Sequence, residues 1–352
     1  MKVQALYSIE TNLEFNHRVS SAGKVPHSVL ESYKLPVPDK IRVIEKHNRF
    51  SDIFVFEIDS KRVVVRSTSA TSAKLLELQC RVFSWLPSDF GLKPLYNTEG
   101  NFVTCENDLA WIAYPYIEGP LFEGDSDQVL IAFQRCLEVA EQFESIGNRL
   151  SAEEKRLFPQ VKFDSSAWKS AVNNLIIEVP EPVLVALGSD LQSFFVQNRT
   201  RLLSLVDELS TWPLPPAALV HYDLQHANIV MSEPGPTIID LEDIYFAPKQ
   251  IAISYCAFKL SRHVVFNNQG LVSWVIAELI PEMTAMLQSC GVDGREELFG
   301  LATIRNLNDL AYINHLYYDR GMDFVLYDLR KKVLNVLECA ELAGCSGRVG
   351  LK

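Results

Sequence analysis

Three side chains with oxygen atoms lie close together in residues 219–244, LVHYDLQHANIVMSEPGPTIIDLEDI: Asp223, Asn228 and Asp240. The apolar runs ANIVM and TIIDL are typical of β-strands and SEPGP is typical of a turn, so the spacing predicts a β-hairpin. In such a hairpin Asp240 returns to the level of Asn228, and a carboxylate and an amide oxygen converge. Hard oxygen ligands of this kind suit Mg²⁺. Asp223 is placed to accept a proton from a hydroxyl group, and this division of roles is the one that phosphoryl transfer uses.

The same residues allow two other interpretations. Asp223 and Asp240 could be turn residues that accept hydrogen bonds from backbone amides, a common role of aspartate in loops. His221, Asp223 and His226 form the pattern H-x-D-x-x-H, which imitates the zinc site of a hydrolase. The sequence has no further His or Cys cluster to supply the remaining ligands that zinc requires.

The elements that must position these residues are of two kinds. Three β-rich runs, IRVIEKH, DIFVFEID and KRVVVRST, begin at Ile41 and predict an antiparallel meander. SATSAKLLELQCRVFSWLP predicts a helix that begins near Ser72 and ends before Pro87. NFVTCEND and LAWIAYPYI predict a further hairpin, and helical periodicity dominates from about Ser126 onward. We therefore predict an α+β fold with a leader segment (1–40), a β-sheet lobe with one helix (41–117) and a larger, mainly helical lobe that holds the polar hairpin (118–352).

The motif HYDLQHAN at 221–228, followed by IIDLE at 238–242, resembles the signature H-G-D-x-H-x-x-N … I-D-x-[DE] of the aminoglycoside phosphotransferase and choline kinase superfamily. That resemblance implies a bilobal protein-kinase-like fold and a reaction that uses ATP and Mg²⁺. It makes Asp223 the catalytic base and His221 the residue that braces the catalytic loop. It makes Asn228 and Asp240 the Mg²⁺ ligands.

The resemblance also assigns a nucleotide site in the N-terminal lobe. Arg66, in VVVRST, stands where many members of the superfamily have a lysine, which implies contact with the nucleotide phosphates. AYPYIEG resembles the hinge strand, so Tyr114, Tyr116 and Ile117 are expected beside the adenine. HNRFSDI resembles the phosphate loop, although it contains no glycine, and Ser51 is its candidate contact.

Several positions depart from the superfamily pattern. Tyr222 replaces the small residue after the catalytic histidine, and Gln225 replaces the second histidine. Gln79 stands where a helix glutamate usually pairs with the cation of the third strand. This loss, with the glycine-free loop, motivates an alternative in which the chain is an inactive pseudokinase that binds a nucleotide or a protein. Glu242 and Asp243 are either solvated charges at the hairpin end or substrate contacts.

Composition limits the partners. The 352 residues carry a net charge of −11, which argues against a nucleic-acid backbone and allows a cationic ligand. Seven scattered cysteines without a C-x-x-C pair are typical of reduced core residues in a cytoplasmic protein. Because no apolar window is long enough to span a membrane, no membrane partner is expected. The predicted phosphoryl acceptor is a small molecule with a hydroxyl group: an amino sugar, an amino alcohol such as choline, or a sugar.

The C-terminal run LNDLAYINHLYYDRG offers a second candidate ligand site. Asp309, Tyr312, His315, Tyr317 and Asp319 fall on one predicted helix, and such residues can surround an ammonium group. Leucines at helical spacing favour the simpler interpretation, a core helix with a solvated edge.

Overall fold

The computed structural model describes residues 16–20, 25–37, 41–45, 52–58, 61–177 and 179–345. Its N-terminal part is one antiparallel sheet of six strands with the spatial order β1-β2-β3-β4-β6-β5. The strands β1 to β6 are Asn16–Ser20, Ile41–Glu45, Asp52–Ile58, Lys61–Ser69, Thr104–Glu106 and Leu109–Pro115. The predicted meander and the predicted second hairpin are confirmed. Asn107 and Asp108 both have positive φ, 53° and 59°, which suits the tight two-residue turn between β5 and β6.

Two helices lie on this sheet, α1 (His27–Ser32) and α2 (Ala73–Trp85). The prediction that the sheet begins at Ile41 is wrong, because β1 pairs with β2 from Asn16 onward. The leader's described part therefore belongs to the sheet and to α1. The run NHRVS has no apolar alternation from which a strand could be predicted. An edge strand is paired on one side only and can form without such alternation. The domain boundaries at residues 40 and 117 stay a prediction.

The central strands are buried on both faces, and their alternation separates two cores. Phe54, Phe56 and Val65 pack with Val29 and Leu30 of α1. The residues between them along the strands face α2 and the helical part of the chain: Ile53, Val55, Val64, Ile112 and Tyr114. Because successive strand residues point to opposite faces, Arg66 shares the second face with Val64. The strand period therefore directs the predicted phosphate contact away from α1.

The remainder of the chain is mainly helical, as predicted. Its helices α3 to α8 are Val129–Arg149, Ala152–Leu157, Ser165–Ala171, Glu181–Leu187, Ser189–Ser210 and Lys249–Asn267, and α9 to α11 are Ile280–Gln288, Gly294–Asn314 and Leu329–Ala340. Helix α8 is buried along most of its length and packs against α3 and α10. Two small antiparallel pairs interrupt the helices: β7 (Ala217–His221) with β10 (Ile244–Pro248), and β8 (Ile229–Ser232) with β9 (Gly235–Ile238).

The helical run Gln269–Gln288 is, among the described residues, the one segment long and apolar enough to span a membrane, with mean hydropathy 1.4. The expectation that no such window exists is therefore wrong by length and composition. Core helices of globular proteins pass the same test. Val275, Leu279 and Met283 point into the core here, whereas Glu278 and Glu282 are on the exposed side. This is the pattern of an amphipathic helix on a protein surface.

The cysteines whose surroundings the structure describes are all free thiols. The prediction that they are core residues holds for the five that are buried: Cys80, Cys136, Cys256, Cys290 and Cys339. Cys105 is exposed on the edge strand β5, so the prediction is wrong there.

Candidate active site

Backbone pairing brings the two halves of the polar motif together. The β8–β9 register places Ile229 opposite Ile238, and Ile239 N donates to Asn228 O at 3.1 Å. The predicted return of the chain from Asn228 to Asp240 is thus confirmed. The β7–β10 pair, which the sequence did not predict, closes the other side, because Tyr222 N donates to Asp243 O at 2.7 Å.

The Asp223 carboxylate is held by two side-chain amides. Its Oδ2 accepts from Gln225 Nε2 at 2.7 Å and from Asn228 Nδ2 at 3.1 Å. Asn228 Nδ2 also donates to Asp223 O at 2.8 Å. Both side-chain bonds end on Oδ2, so Oδ1 lies on the other side of the carboxylate, where it can accept a proton. Gln225, which the sequence pattern recorded only as a departure, therefore fixes the carboxylate of the predicted base.

His221 joins the predicted catalytic loop, residues 222–228, to the segment that follows β9. Its ring is fully buried, with Phe83 and Phe143 packed edge-on at centroid distances of 6.2 and 6.1 Å. Asp223 N donates to His221 Nδ1 at 3.3 Å, so Nε2 carries the proton and donates to Asp240 O at 3.0 Å. The ring is therefore a neutral brace between the residues predicted to be the base and a metal ligand.

Arg66 crosses from the sheet to the same segment. Its Nη1 lies 3.2 Å from Asp240 Oδ1, and its Nη2 contacts Glu242 Oε1. The Arg66 side chain is 7% exposed. Burial alone would lower the pKa of its guanidinium, but the carboxylates of Asp240 and Glu242 outweigh that effect and hold the pKa above its usual range. The buried ion pair ties the two parts of the molecule together across the predicted nucleotide cleft.

Helix α2 does not supply a carboxylate for Arg66. Gln79 is the buried polar residue at the predicted position. Glu77, two residues earlier, accepts from Val103 N at 2.8 Å and from Phe102 N at 3.0 Å. Its carboxylate is therefore engaged by the loop before β5.

The predicted hinge residues lie at the end of β6 and just after it. Tyr114 is buried, and this burial raises its pKa to about 12. Tyr116 N donates to Arg62 O at 3.0 Å, and the Arg62 guanidinium stacks on the Tyr116 ring at 4.1 Å. Contacts of Tyr114, Tyr116 and Ile117 with adenine stay a prediction. Ser51 lies outside the described residues.

Asp243 is a member of the site with a left-handed backbone and a partly buried side chain. Its φ of 56° is in the left-handed region, which Asp tolerates better than most residues. Burial raises the pKa of its carboxyl to about 7, the charges of Asp223 and Asp240 add to the rise, and Arg305 opposes it. Tyr245 Oη donates to Asp243 Oδ1 at 3.3 Å. The structure thus places Asp243 beside the carboxylates of Asp223 and Asp240, with its side chain partly buried and hydrogen-bonded to Tyr245.

A cationic network packs against the predicted catalytic loop. The Arg305 guanidinium stacks on Tyr222 at 4.0 Å and forms an ion pair with Asp309. Lys332 Nζ lies 2.6 Å from the other oxygen of Asp309. Tyr222, which replaces the small residue of the superfamily motif, therefore packs against a buried cation. Asp309 holds two protein cations, which removes it from the predicted ammonium cage.

The zinc interpretation does not fit the geometry. The rings of His226 and His263 stack face to face, with centroids 3.7 Å apart and planes 10° apart. In the predicted zinc pattern of His221, Asp223 and His226, both ring nitrogens of His221 are engaged, Nδ1 by Asp223 N and Nε2 by Asp240 O, so this ring has no nitrogen left for a metal ion. Within the described residues there is no group of three or more His, Cys, Asp or Glu side chains that could hold a metal.

The donor set does fit Mg²⁺. Asn228 turns its Nδ2 toward Asp223, so its amide oxygen faces the opposite way and is available as a ligand. Asp240 supplies a carboxylate from the adjacent strand end. One or two protein oxygens, with the rest from water and phosphate, are the usual protein contribution to a Mg²⁺ site at a nucleotide. Such a site therefore needs no cluster of three or more charged ligands.

Comparisons with known proteins identify the fold. No protein-family model and no curated protein sequence matches the chain. A solved structure of a spectinomycin phosphotransferase with ADP and spectinomycin is similar at 15% identity, covers 88% of this chain and 93% of that chain, and gives a TM-score of 0.60. An aminoglycoside phosphotransferase from Alicyclobacillus acidocaldarius is similar at 13% identity, 94% and 98% coverage and a TM-score of 0.57. An amicoumacin kinase in complex with AMP-PNP and Ca²⁺ is similar at 14% identity, 83% and 88% coverage and a TM-score of 0.52.

The chain therefore has the kinase-like fold of the aminoglycoside phosphotransferases, as the motif predicted. This is a fold of small-molecule phosphotransferases. Two of these solved structures hold a nucleotide, one of them together with a metal ion.

Proposed function

We propose that this protein transfers the γ-phosphoryl group of ATP, in a Mg²⁺-dependent reaction, to a hydroxyl group of a small molecule. The observation that carries the proposal is the backbone register that brings Asn228 and Asp240 together beside Asp223. Bound Mg²⁺–ATP would supply the phosphoryl group and neutralise its charge. Asn228 and Asp240 would hold the metal ion, and Arg66 would meet the nucleotide phosphates.

The role of Asp223 is orientation of the acceptor. Its Oδ2 is fixed by Gln225 and Asn228, which leaves Oδ1 to accept the hydrogen bond of an incoming hydroxyl. As the new oxygen–phosphorus bond forms, the hydroxyl proton passes to this carboxylate and ADP leaves. His221 keeps the loop in place through Asp240 O and Asp223 N, without exchanging a proton with the acceptor.

A small-molecule acceptor is supported by the chain downstream of the site. Only a short segment separates Asp240 from α8, which begins at Lys249, whereas a protein kinase needs a long ordered segment there to hold a peptide. Amino sugars, amino alcohols and monosaccharides are the candidate classes. The net charge of −11 and the carboxylates around Asp243 favour a cationic member of these classes.

The test is turnover by the wild type and by Asp223→Asn. ADP release is measured against a panel of amino sugars, amino alcohols and monosaccharides. Asn keeps the size of the side chain but removes its charge, so kcat is expected to fall by roughly two to four orders of magnitude while ATP affinity stays nearly constant. Asp127→Asn, at an exposed position, is the matched control. Wild-type kcat in the Asp223→Asn protein would show that another group is the base.

A nucleotide-binding pseudokinase is the second candidate. It is favoured by Gln79 in α2 and by the ion pair that Arg66 makes with the predicted metal ligand Asp240. It predicts nucleotide binding without acceptor turnover by the wild type across the whole panel. If ATP raises the melting temperature of the protein by the same amount in Mg²⁺ and in EDTA, the assignment of Asn228 and Asp240 as metal ligands is wrong, whichever candidate is correct.

A further inference from the structure

The partner of Arg66 is the point where this chain departs from the pattern of its fold. The superfamily pattern has a glutamate on the helix that follows the strand of Arg66, but Gln79 stands there and Glu77 is engaged by Phe102 N and Val103 N. A buried guanidinium without a carboxylate would be costly. The structure supplies carboxylates from another element, the segment after β9.

Two carboxylates of that segment meet the two ends of the Arg66 fork. Asp240 Oδ1 lies 3.2 Å from Nη1, and Glu242 Oε1 contacts Nη2. The segment is itself fixed, because Glu242 N donates to Asp240 Oδ1 at 3.1 Å. A planar guanidinium with separate donors can hold both acids at once, and this fixes its orientation more firmly than one contact.

The two carboxylates differ in what else they can do. Asp240 is 14% exposed and lies beside Asn228 at the proposed metal site. Glu242 is 43% exposed and its oxygen lies at the other end of the fork. When a metal ion draws the charge of Asp240 to itself, the contact between Arg66 and Asp240 weakens. The contact with Glu242 does not depend on the metal site in this way.

We propose that Glu242 is the positioning residue that holds Arg66 toward the nucleotide phosphates once Mg²⁺ engages Asp240, in place of a helix glutamate. This inference rests on the proposed function. It makes the orientation of Arg66 depend on the hairpin that carries the metal ligands and not on the position of α2. Gln79 is then compatible with an active site, because the ion pair has moved to another element.

The test measures the affinity for ATP in Mg²⁺ and in EDTA for the wild type, Glu242→Gln, Arg66→Gln and the double variant. In EDTA, Asp240 still holds Arg66, so Glu242→Gln is expected to bind within about twofold of the wild type. In Mg²⁺ it is expected to bind about tenfold more weakly, the effect of losing one charge-assisted hydrogen bond. In the Arg66→Gln background, Glu242→Gln is expected to change nothing further, because it acts through Arg66.

The matched control is Glu233→Gln, an exposed glutamate at the β8–β9 turn. Melting temperatures without nucleotide report folding. Glu242→Asp, which keeps the charge and shortens the reach, is expected to lie between the wild type and Glu242→Gln. If Glu242→Gln alone does not fold, Glu242→Asp carries the comparison with the wild type, because it keeps a carboxylate beside Arg66.

Three outcomes would overturn the proposal. Equal Mg²⁺-dependent affinity of the wild type and Glu242→Gln removes the positioning role and leaves the proposed function standing. A loss of equal size in the Arg66→Gln background shows that Glu242 acts on the metal or the acceptor directly. A wild type that binds no nucleotide removes both the inference and the proposed function.

Discussion

Replacement of Asp243 by Asn tests the electrostatics of the acidic group. The carboxyl of Asp243 lies among Asp223, Asp240 and Glu242, and burial raises its pKa from 3.8 to about 7. Asn has nearly the same shape and tolerates the left-handed backbone at φ 56°. The variant therefore removes a charge with little change in packing.

The sign and size follow from proton linkage. Because the pKa is higher in the folded than in the unfolded chain, the folded state holds the proton more tightly between about pH 4 and 7. This tighter proton binding adds to the free energy of unfolding. The added stability is full below the unfolded pKa of 3.8 and is lost as the pH rises through the folded pKa of about 7. At ~1.4 kcal/mol per pKa unit, the loss between about pH 5 and 8 is about 3 kcal/mol. The Asp243→Asn variant has no carboxyl to titrate at this position. Its free energy of unfolding minus that of the wild type should therefore increase by about 3 kcal/mol between about pH 5 and 8.

Urea unfolding at a series of pH values from about 5 to 8 measures this difference. Asp108→Asn is a matched control, because Asp108 also has positive φ, 59°, but is exposed at the β5–β6 turn. It reports the effect of the same substitution at an exposed position with a left-handed backbone. If the difference in free energy of unfolding between Asp243→Asn and the wild type does not change with pH, Asp243 is not a protonated group in the folded state and the electrostatic reasoning fails.

Two further substitutions test how the helical part supports the catalytic loop. Arg305→Met keeps much of the side-chain length but removes the cation that stacks on Tyr222 and pairs with Asp309. We expect the free energy of unfolding, measured in urea, to fall by about 3 kcal/mol. An unchanged urea midpoint would contradict this prediction. Gly147→Ala would place a Cβ 2.5 Å from Leu219 Cβ, where α3 crosses β7. This overpacking should cost about 1–3 kcal/mol and lower the melting temperature, and a melting temperature equal to that of the wild type would show that the helix and strand separate without strain.

The fold was predictable where apolar periodicity or turn chemistry is local. The runs of the meander gave β2 to β4, and the helical spacing before Pro87 gave α2. Strand β1 was not predictable, because an edge strand of polar residues has no apolar alternation. The β7–β10 pair was missed because the whole β8–β9 hairpin separates its two strands in the sequence.

The candidate site divides in the same way. The sequence alone determined the group of Asp223, Asn228 and Asp240, because a hairpin with a short turn fixes which residues return to the same level. Only the tertiary structure decided what surrounds this group. The partner of Arg66 lies 174 residues away at Asp240, and the cation beneath Tyr222 comes from α10. Local spacing specifies register within one hairpin, whereas contacts between distant segments depend on the packing of the whole chain, which no spacing rule contains.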